Sequence, residues 1–274
     1  MTDKRFKRLP SRGEYERCQR SRQKVSPESG GGPSPTVLYR PGAEAVTAYL
    51  RETERNYVPI GEQIMTTAMT DTSMNTNMHS AFKREILRLR DGLLKADLSH
   101  AKATEGLARR YKFFSITLHQ HHQGEDTYQW PVIRPKANPQ EIAVLDAMEA
   151  EHGALASVLA AVDVDFKTLS ANSDKDQIAA RLDELDTVLS GHTQHEESEG
   201  VPIVQKYFEE DDLKAFVKFS RDSEDASLVL PWVSDGATPA EVASTWAMIP
   251  APVRLFVRPM LTRKYTKFTA ECGV

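Results

Sequence analysis

The sequence predicts an all-α protein built on an up-down four-helix bundle, with a disordered N-terminal extension and a small helical C-terminal appendage. Four stretches repeat apolar residues at alternating steps of three and four, the spacing of one helix face. They run through His79, Phe82, Ile86, Leu89 and Leu93; through Leu107, Tyr111, Phe114 and Leu118; through Ile142, Leu145, His152, Leu155 and Leu159; and through Ile178, Leu182, Leu185 and Leu189. Two of these stripes continue into a histidine and a glutamate four apart, His121 with Glu125 and His192 with Glu196, 71 residues later (192 − 121). A helix with a lone histidine precedes a helix with such a pair twice, at separations of 42 (121 − 79) and 40 (192 − 152). One αα-hairpin is therefore used two times, and antiparallel packing at about 20° brings the inner stripes together.

The elements follow in order. Residues 1–75 read as a mostly disordered extension. Met1 to Lys24 holds nine Lys or Arg against Asp3, Glu14 and Glu16, Ser26 to Pro35 is a Gly/Ser/Pro linker, and Glu44 to Asn56 has the makings of one short helix. Residues 76–208 form the expected core domain. Its first helix is capped by Thr76 or Asn77, its second opens at Ser99 and is ended or kinked by Pro131, its third spans about Pro139 to Val162, and its fourth follows the polar turn around Ser170 to Lys175 and reaches Ile203. Tyr128 and Trp130 read as packing groups that close the bundle's end.

Residues 209–274 form the appendage. An acidic patch at Glu209 to Asp212 leads into a short helix to about Phe219, and Leu228 to Val233 follows. Thr238, Pro239 and Glu241 have the layout of an N-cap, a first-turn proline and a capping-box glutamate, predicting a helix to about Met248. Pro252 opens a last, amphipathic and basic helix, with Val253, Leu255, Phe256, Val257 and Leu261 beside Arg254, Arg258, Arg263, Lys264 and Lys267. Docking on the bundle is its expected role.

Composition narrows the function classes. A formal charge of −4 and a basic run without interleaved aromatics give no nucleic-acid signature. Cys18 and Cys272 are the two cysteines, too few for a disulfide framework or a Cys-based zinc site. Apolar runs fall short of the roughly 18 residues a membrane span needs, and charge occupies the place of a signal peptide's apolar region. The expectation is a cytoplasmic protein without a transmembrane segment.

The six inner polar residues carry the chemistry. Histidine and glutamate four apart stack on one helix face, and imidazole or carboxylate aimed into a bundle is costly unless partners or metal neutralise it. The candidate ligands are His79, His121, Glu125, His152, His192 and Glu196. Imidazoles with hard carboxylates suit non-haem iron, and two ions fit better than one, because six protein ligands would saturate a single octahedral ion. Zinc and manganese are also chemically admissible. His100, His119, His122 and His195 fall off the seams or at their border and read as surface residues or outer partners.

In this order, and with prolines ten residues after His121 and His192, the pattern resembles the hemerythrin-like (HHE cation-binding) family over roughly residues 76–208. The resemblance implies a four-helix bundle around two non-haem irons with oxo or hydroxo and carboxylate bridges, Glu125 and Glu196 bridging and the four histidines terminal. Oxygen-carrying hemerythrins place two histidines four apart on the third helix, but Met148 stands before His152 here. Glu149 is the nearest replacement by helical phase, with a solvent molecule as the alternative. Asp126 and Glu197, each directly after a ligand glutamate, either accept hydrogen bonds from ligand imidazoles or face solvent.

Three functions follow. The first is a protein binding dioxygen, peroxide or nitric oxide for sensing, protection or storage. The second is a metal-dependent enzyme with catalase-like peroxide dismutation or nitric-oxide repair activity. The third is a structural or regulatory bundle merely held by its metal. No nucleophile triad or phosphate loop accompanies the histidines, so any catalysis would be the metal's own.

Overall fold

The computed structural model of the protein describes residues 71–209, 211–213, 216 and 226–273. The basic N-terminal run, the linker, the expected helix from Glu44 to Asn56, Cys18 and most of the expected helix before Phe219 lie outside the described residues. Among those described every regular element is helical: α1 Ser73–Lys95, α2 Ala101–Gly124, α3 Trp130–Ile133, α4 Pro139–Lys167, α5 Lys175–His195, α6 Val201–Tyr207, α7 Ala226–Ser234, α8 Pro239–Ala247 and α9 Ala251–Cys272. Two π-helical turns interrupt the series, Glu125–Gln129 between α2 and α3 and Glu196–Gly200 between α5 and α6.

The four long helices close a cycle. α1 packs on α2 and α5, and α4 packs on the same two. The predicted stripes face inward: Phe82, Ile86, Leu89, Leu93, Leu107, Phe114, Leu182, Leu185 and Leu189 are fully buried. Each such side chain contributes roughly 1.5–3 kcal/mol by leaving water. A second apolar cluster forms around Trp130, Ile133, Leu145, Met148, Ile203, Val204 and Phe208. Along α4, His152 falls between Met148 of this cluster and Leu155 of the main one, so the polar residues form a layer with apolar packing on either side.

Several helix ends differ from expectation for local reasons. α1 begins a turn before Thr76 and Asn77, because Asp71 accepts from the Ser73 N–H and satisfies the helix start. Asn77 is instead buried and donates its amide to Ser244 Oγ and Thr245 Oγ1 of α8. α2 is capped at His100, since Ser99 turns its N–H and hydroxyl to Asp97. α4 starts at Pro139 behind an Asn138–Glu141 capping box and runs past Val162 to Lys167, because Phe166 stacks on Tyr111 at 4.2 Å. Thr238 and Glu241 form the predicted capping box of α8.

Pro131 and Pro202 kink rather than end their helices. Proline lacks the N–H that an α-turn needs and its ring crowds the carbonyl four residues earlier. The chain responds by widening: Trp130 N–H reaches back five residues to Glu125 O, and Val201 N–H to Glu196 O.

The appendage docks through residues other than those the sequence suggested. Leu255 and Phe256 are 74% and 79% exposed, whereas Tyr265, Phe268 and Cys272 are buried. α9 lies against α2 where Gly106 has no side chain, and a Cβ there would sit 2.2 Å from the Cys272 carbonyl oxygen. α7 is anchored by a buried ionic knot. The Arg110 guanidinium grips both oxygens of Glu85 at 2.6 and 3.0 Å, and Trp232 Nε1 donates to the same carboxylate at 3.2 Å. Arg110→Met strands the Glu85 charge, and urea unfolding is expected to show a loss of about 3–5 kcal/mol, largely recovered when Glu85→Leu is combined with it.

Candidate metal centre

The structure brings all six inner residues into one buried layer. Glu125 and Glu196 are fully buried, and His79, His121, His152 and His192 are buried around them. His79 Nε2 lies 3.1 Å from His121 Nε2 and 3.1 Å from Glu196 Oε2. Glu125 places one oxygen 3.4 Å from His121 Nε2 and the other 3.5 Å from His152 Nε2. His192 Nε2 stands 3.7 Å from Glu196 Oε2. Each glutamate thus reaches one imidazole on each side of the layer.

The helix geometry explains the placement. His121 and His192 are the next inward positions after Leu118 and Leu189, and Glu125 and Glu196 begin the two π turns. Such turns are rare and concentrate at functional sites. They occur here at duplicate positions, 71 residues apart (196 − 125).

Outer carboxylates orient the rings. Asp126 and Glu197 take the first of the two roles expected of them: His152 Nδ1 pairs with Asp126 Oδ1 at 2.9 Å, and His79 Nδ1 with Glu197 Oε1 at 2.9 Å. The bonds cross between hairpins, since Asp126 follows α2 and holds a ring of α4, while Glu197 follows α5 and holds a ring of α1. Glu151, which sequence reasoning passed over, accepts from His192 Nδ1 at 2.9 Å and from His195 Nδ1 at 2.8 Å. Carboxylates on Nδ1 fix the tautomer that leaves Nε2 with a free lone pair, the usual arrangement behind a metal-ligating imidazole. Asn75, also passed over because α1 starts earlier than expected, donates to Glu196 Oε1 at 2.7 Å.

Two expectations require correction. Glu149 does not replace the missing third-helix histidine: it is an exposed residue held by Arg134 at 2.8 Å. Of the two roles expected of His122, surface residue or outer partner, the structure excludes the first. This histidine is buried, its ring stacks on His152 at 4.3 Å and meets His192 edge-on at 5.1 Å. His100 is an exposed residue paired with Asp97, as its place at a helix start suggested.

Burial and charge split the acid–base behaviour of the group. Burial pulls His79 toward the neutral form, but Glu196 and Glu197 overcome it and push its pKa up to about 9. Burial, reinforced by the charge on His79, brings His121 down to about 3, and burial, reinforced by the neighbouring His152, keeps His122 and His192 below the ordinary imidazole value. Glu125 is raised well above the carboxylate range by burial and by Glu196, whereas Glu196, despite its burial, is held below it by His79.

Donor atoms without partners test whether this set fits a metal. Both oxygens of Glu125, one oxygen of Glu196, and the Nε2 atoms of His122, His152 and His192 are buried with no hydrogen bond. Such orphans are rare in native proteins and cost roughly 1–3 kcal/mol each. Lone pairs and carboxylate oxygens facing one another in a dry layer repel, and a cation among them converts the repulsion into coordination. The residues fit, in two groups whose donor atoms lie within 4.8 Å of one another: His79, His121, Glu125 and Glu196 in one, and His122, His152 and His192 in the other.

This layer lies in the stretch of chain that known proteins identify. Residues 71–204 match the family model described as the hemerythrin HHE cation binding domain. No curated protein and no solved structure matches the chain.

The unequal states of the two glutamates are measurable in metal-stripped protein. Glu125→Gln replaces a carboxyl already driven toward neutrality, so unfolding stability is expected within about 1 kcal/mol of the parent. Glu196→Gln removes the charge that His79 pairs with, and a loss of about 3 kcal/mol is expected. Urea denaturation in the presence of a chelator measures both, and equal losses would contradict the assignment.

Proposed function

We propose that the domain is an up-down four-helix bundle that holds two non-haem iron ions and binds a small oxygen or nitrogen species, namely dioxygen, peroxide or nitric oxide, for sensing, protection or storage. The observation that carries this reading is the convergence of unpartnered imidazole nitrogens and carboxylate oxygens in one dry layer. In it, Glu125 and Glu196 would hold the ions together with His79, His121, His152 and His192. Asp126, Glu151 and Glu197 keep the rings in the ligating tautomer through Nδ1, and Asn75 steadies one oxygen of Glu196. Iron bound here would supply a redox change and coordination positions beyond those the protein fills.

Burial supports the size of the reactant. The inner residues are at most 9% exposed, and the apolar cluster around Trp130, Met148 and Ile203 backs them, which suits a molecule of few atoms rather than an organic substrate. Among the described residues no helix is long and apolar enough to cross a membrane.

Metal analysis tests the reading. Full-length protein is expected to carry two irons per chain and a near-ultraviolet absorption that changes on reduction. His121→Ala and His192→Ala are expected to lose stoichiometric iron, while Glu149→Ala and His100→Ala keep it. One tightly held zinc, no colour, or full iron content in both seam variants would overturn it.

A further inference from the structure

We propose that His122 is itself a metal ligand, completing a three-imidazole set with His152 and His192, so that the two ions are held by unlike donor sets. This deepens the two-ion reading above and rests on it. His122 Nε2 is buried and makes no hydrogen bond, and the same holds for Nε2 of His152 and of His192. A histidine serving as packing would turn its polar edge to water or to a donor. One ring nitrogen from each of these three histidines instead lies within 4.8 Å of the other two. His152 and His192 are each tied through Nδ1 to a carboxylate, Asp126 and Glu151, which leaves their Nε2 lone pairs directed at the common space. Two lone pairs and the unpartnered Nε2 of His122 share one dry space without a mutual hydrogen bond, and one cation coordinated by all three relieves them together.

Helical geometry shows how neighbours in sequence serve different ions. Successive residues are about 100° apart around the axis. His121 therefore meets His79, with Nε2 atoms 3.1 Å apart, while His122 stacks on His152. Comparison of the hairpins shows that the arrangement is one-sided. The residue after His192 is Thr193, fully buried with its hydroxyl donating to Ser190 O, so no imidazole stands there. Four residues before His152, Met148 belongs to the apolar cluster, and its counterpart before His79 is Asn75, which holds Glu196. α2 thus supplies from position 122 the imidazole that α4 does not supply from position 148. The ion on the His122 side receives three imidazoles and the one on the His79 side receives two. The two positions therefore differ in donor type and charge, and they are expected to fill in two distinguishable steps.

Anaerobic titration of ferrous iron into the full-length, metal-stripped protein, followed by calorimetry and Mössbauer spectroscopy, tests this. The parent is expected to bind two irons in two steps, with two distinct iron environments. His122→Ala is expected to weaken one of the two steps by more than about a hundredfold, beyond the loss that follows removal of an outer partner, and to leave the other unchanged, with imidazole added to the solution restoring the parental affinity. Thr193→Ala is expected to keep both steps. In nitrogen-15 histidine spectra of zinc-loaded parent protein, which need no variant, His122 Nε2 is expected to shift with His152 and His192. An unshifted His122, or parental affinity for both irons in folded His122→Ala, would overturn the inference while leaving the two-ion reading intact. A parent that binds no iron would remove both.

Discussion

Two glutamates without any exposure, set among imidazoles, are the constraint around which the domain is organised. Ionised carboxylates in a dry interior cost several kcal/mol each unless a positive charge answers them. In the protein alone His79, pushed toward its charged form by Glu196 and Glu197 against its burial, holds Glu196 below the carboxylate range, while burial and the neighbouring Glu196 push Glu125 above it. In the proposed site two cations take over the task and let both carboxylates ionise. The surrounding structure serves the same end: apolar packing on either side of the layer excludes water, and outer carboxylates hold the rings in one tautomer.

The duplication is strict in backbone and loose in chemistry. Both halves carry an inner histidine, a histidine–glutamate pair, a π turn on the glutamate and a proline beyond it. Equivalent residues beside the donors differ, among them Asn75 with Met148, Met78 with Glu151, His122 with Thr193, and Gln129 with Gly200. The two copies therefore surround equivalent donors with different side chains.

Much of this was legible from periodicity. The four apolar stripes and the histidine on each are buried together because a 3.6-residue repeat reports directly which face leaves water. His122 lies off the single stripe that periodicity marks on each helix, whereas the buried polar layer takes residues from adjacent columns of α2. The His121–His122 doublet, opposite a buried Thr193 in the copy, was its signal. Glu149 misled because helical phase alone could not reveal Arg134 drawing it outward from the loop after α3. The N-terminal caps were misplaced where a short side chain had a second bonding option, Ser99 to Asp97 and Asn77 to α8. The docking face of α9 was misread because the exposed Leu255 and Phe256 match a buried residue's composition, and only tertiary contact shows that Phe268 and Cys272 do the packing.

The crossed carboxylate bonds carry a consequence for the order of assembly. Asp126 belongs to the first hairpin and orients a ring of the second; Glu197 belongs to the second and orients a ring of the first. Neither half, however well folded, can present a fully tautomer-locked donor set by itself. Ion capture is thereby tied to the long-range step of folding, the docking of one hairpin on the other. A nascent or half-folded chain would present His79 and His152 without the carboxylates that orient them.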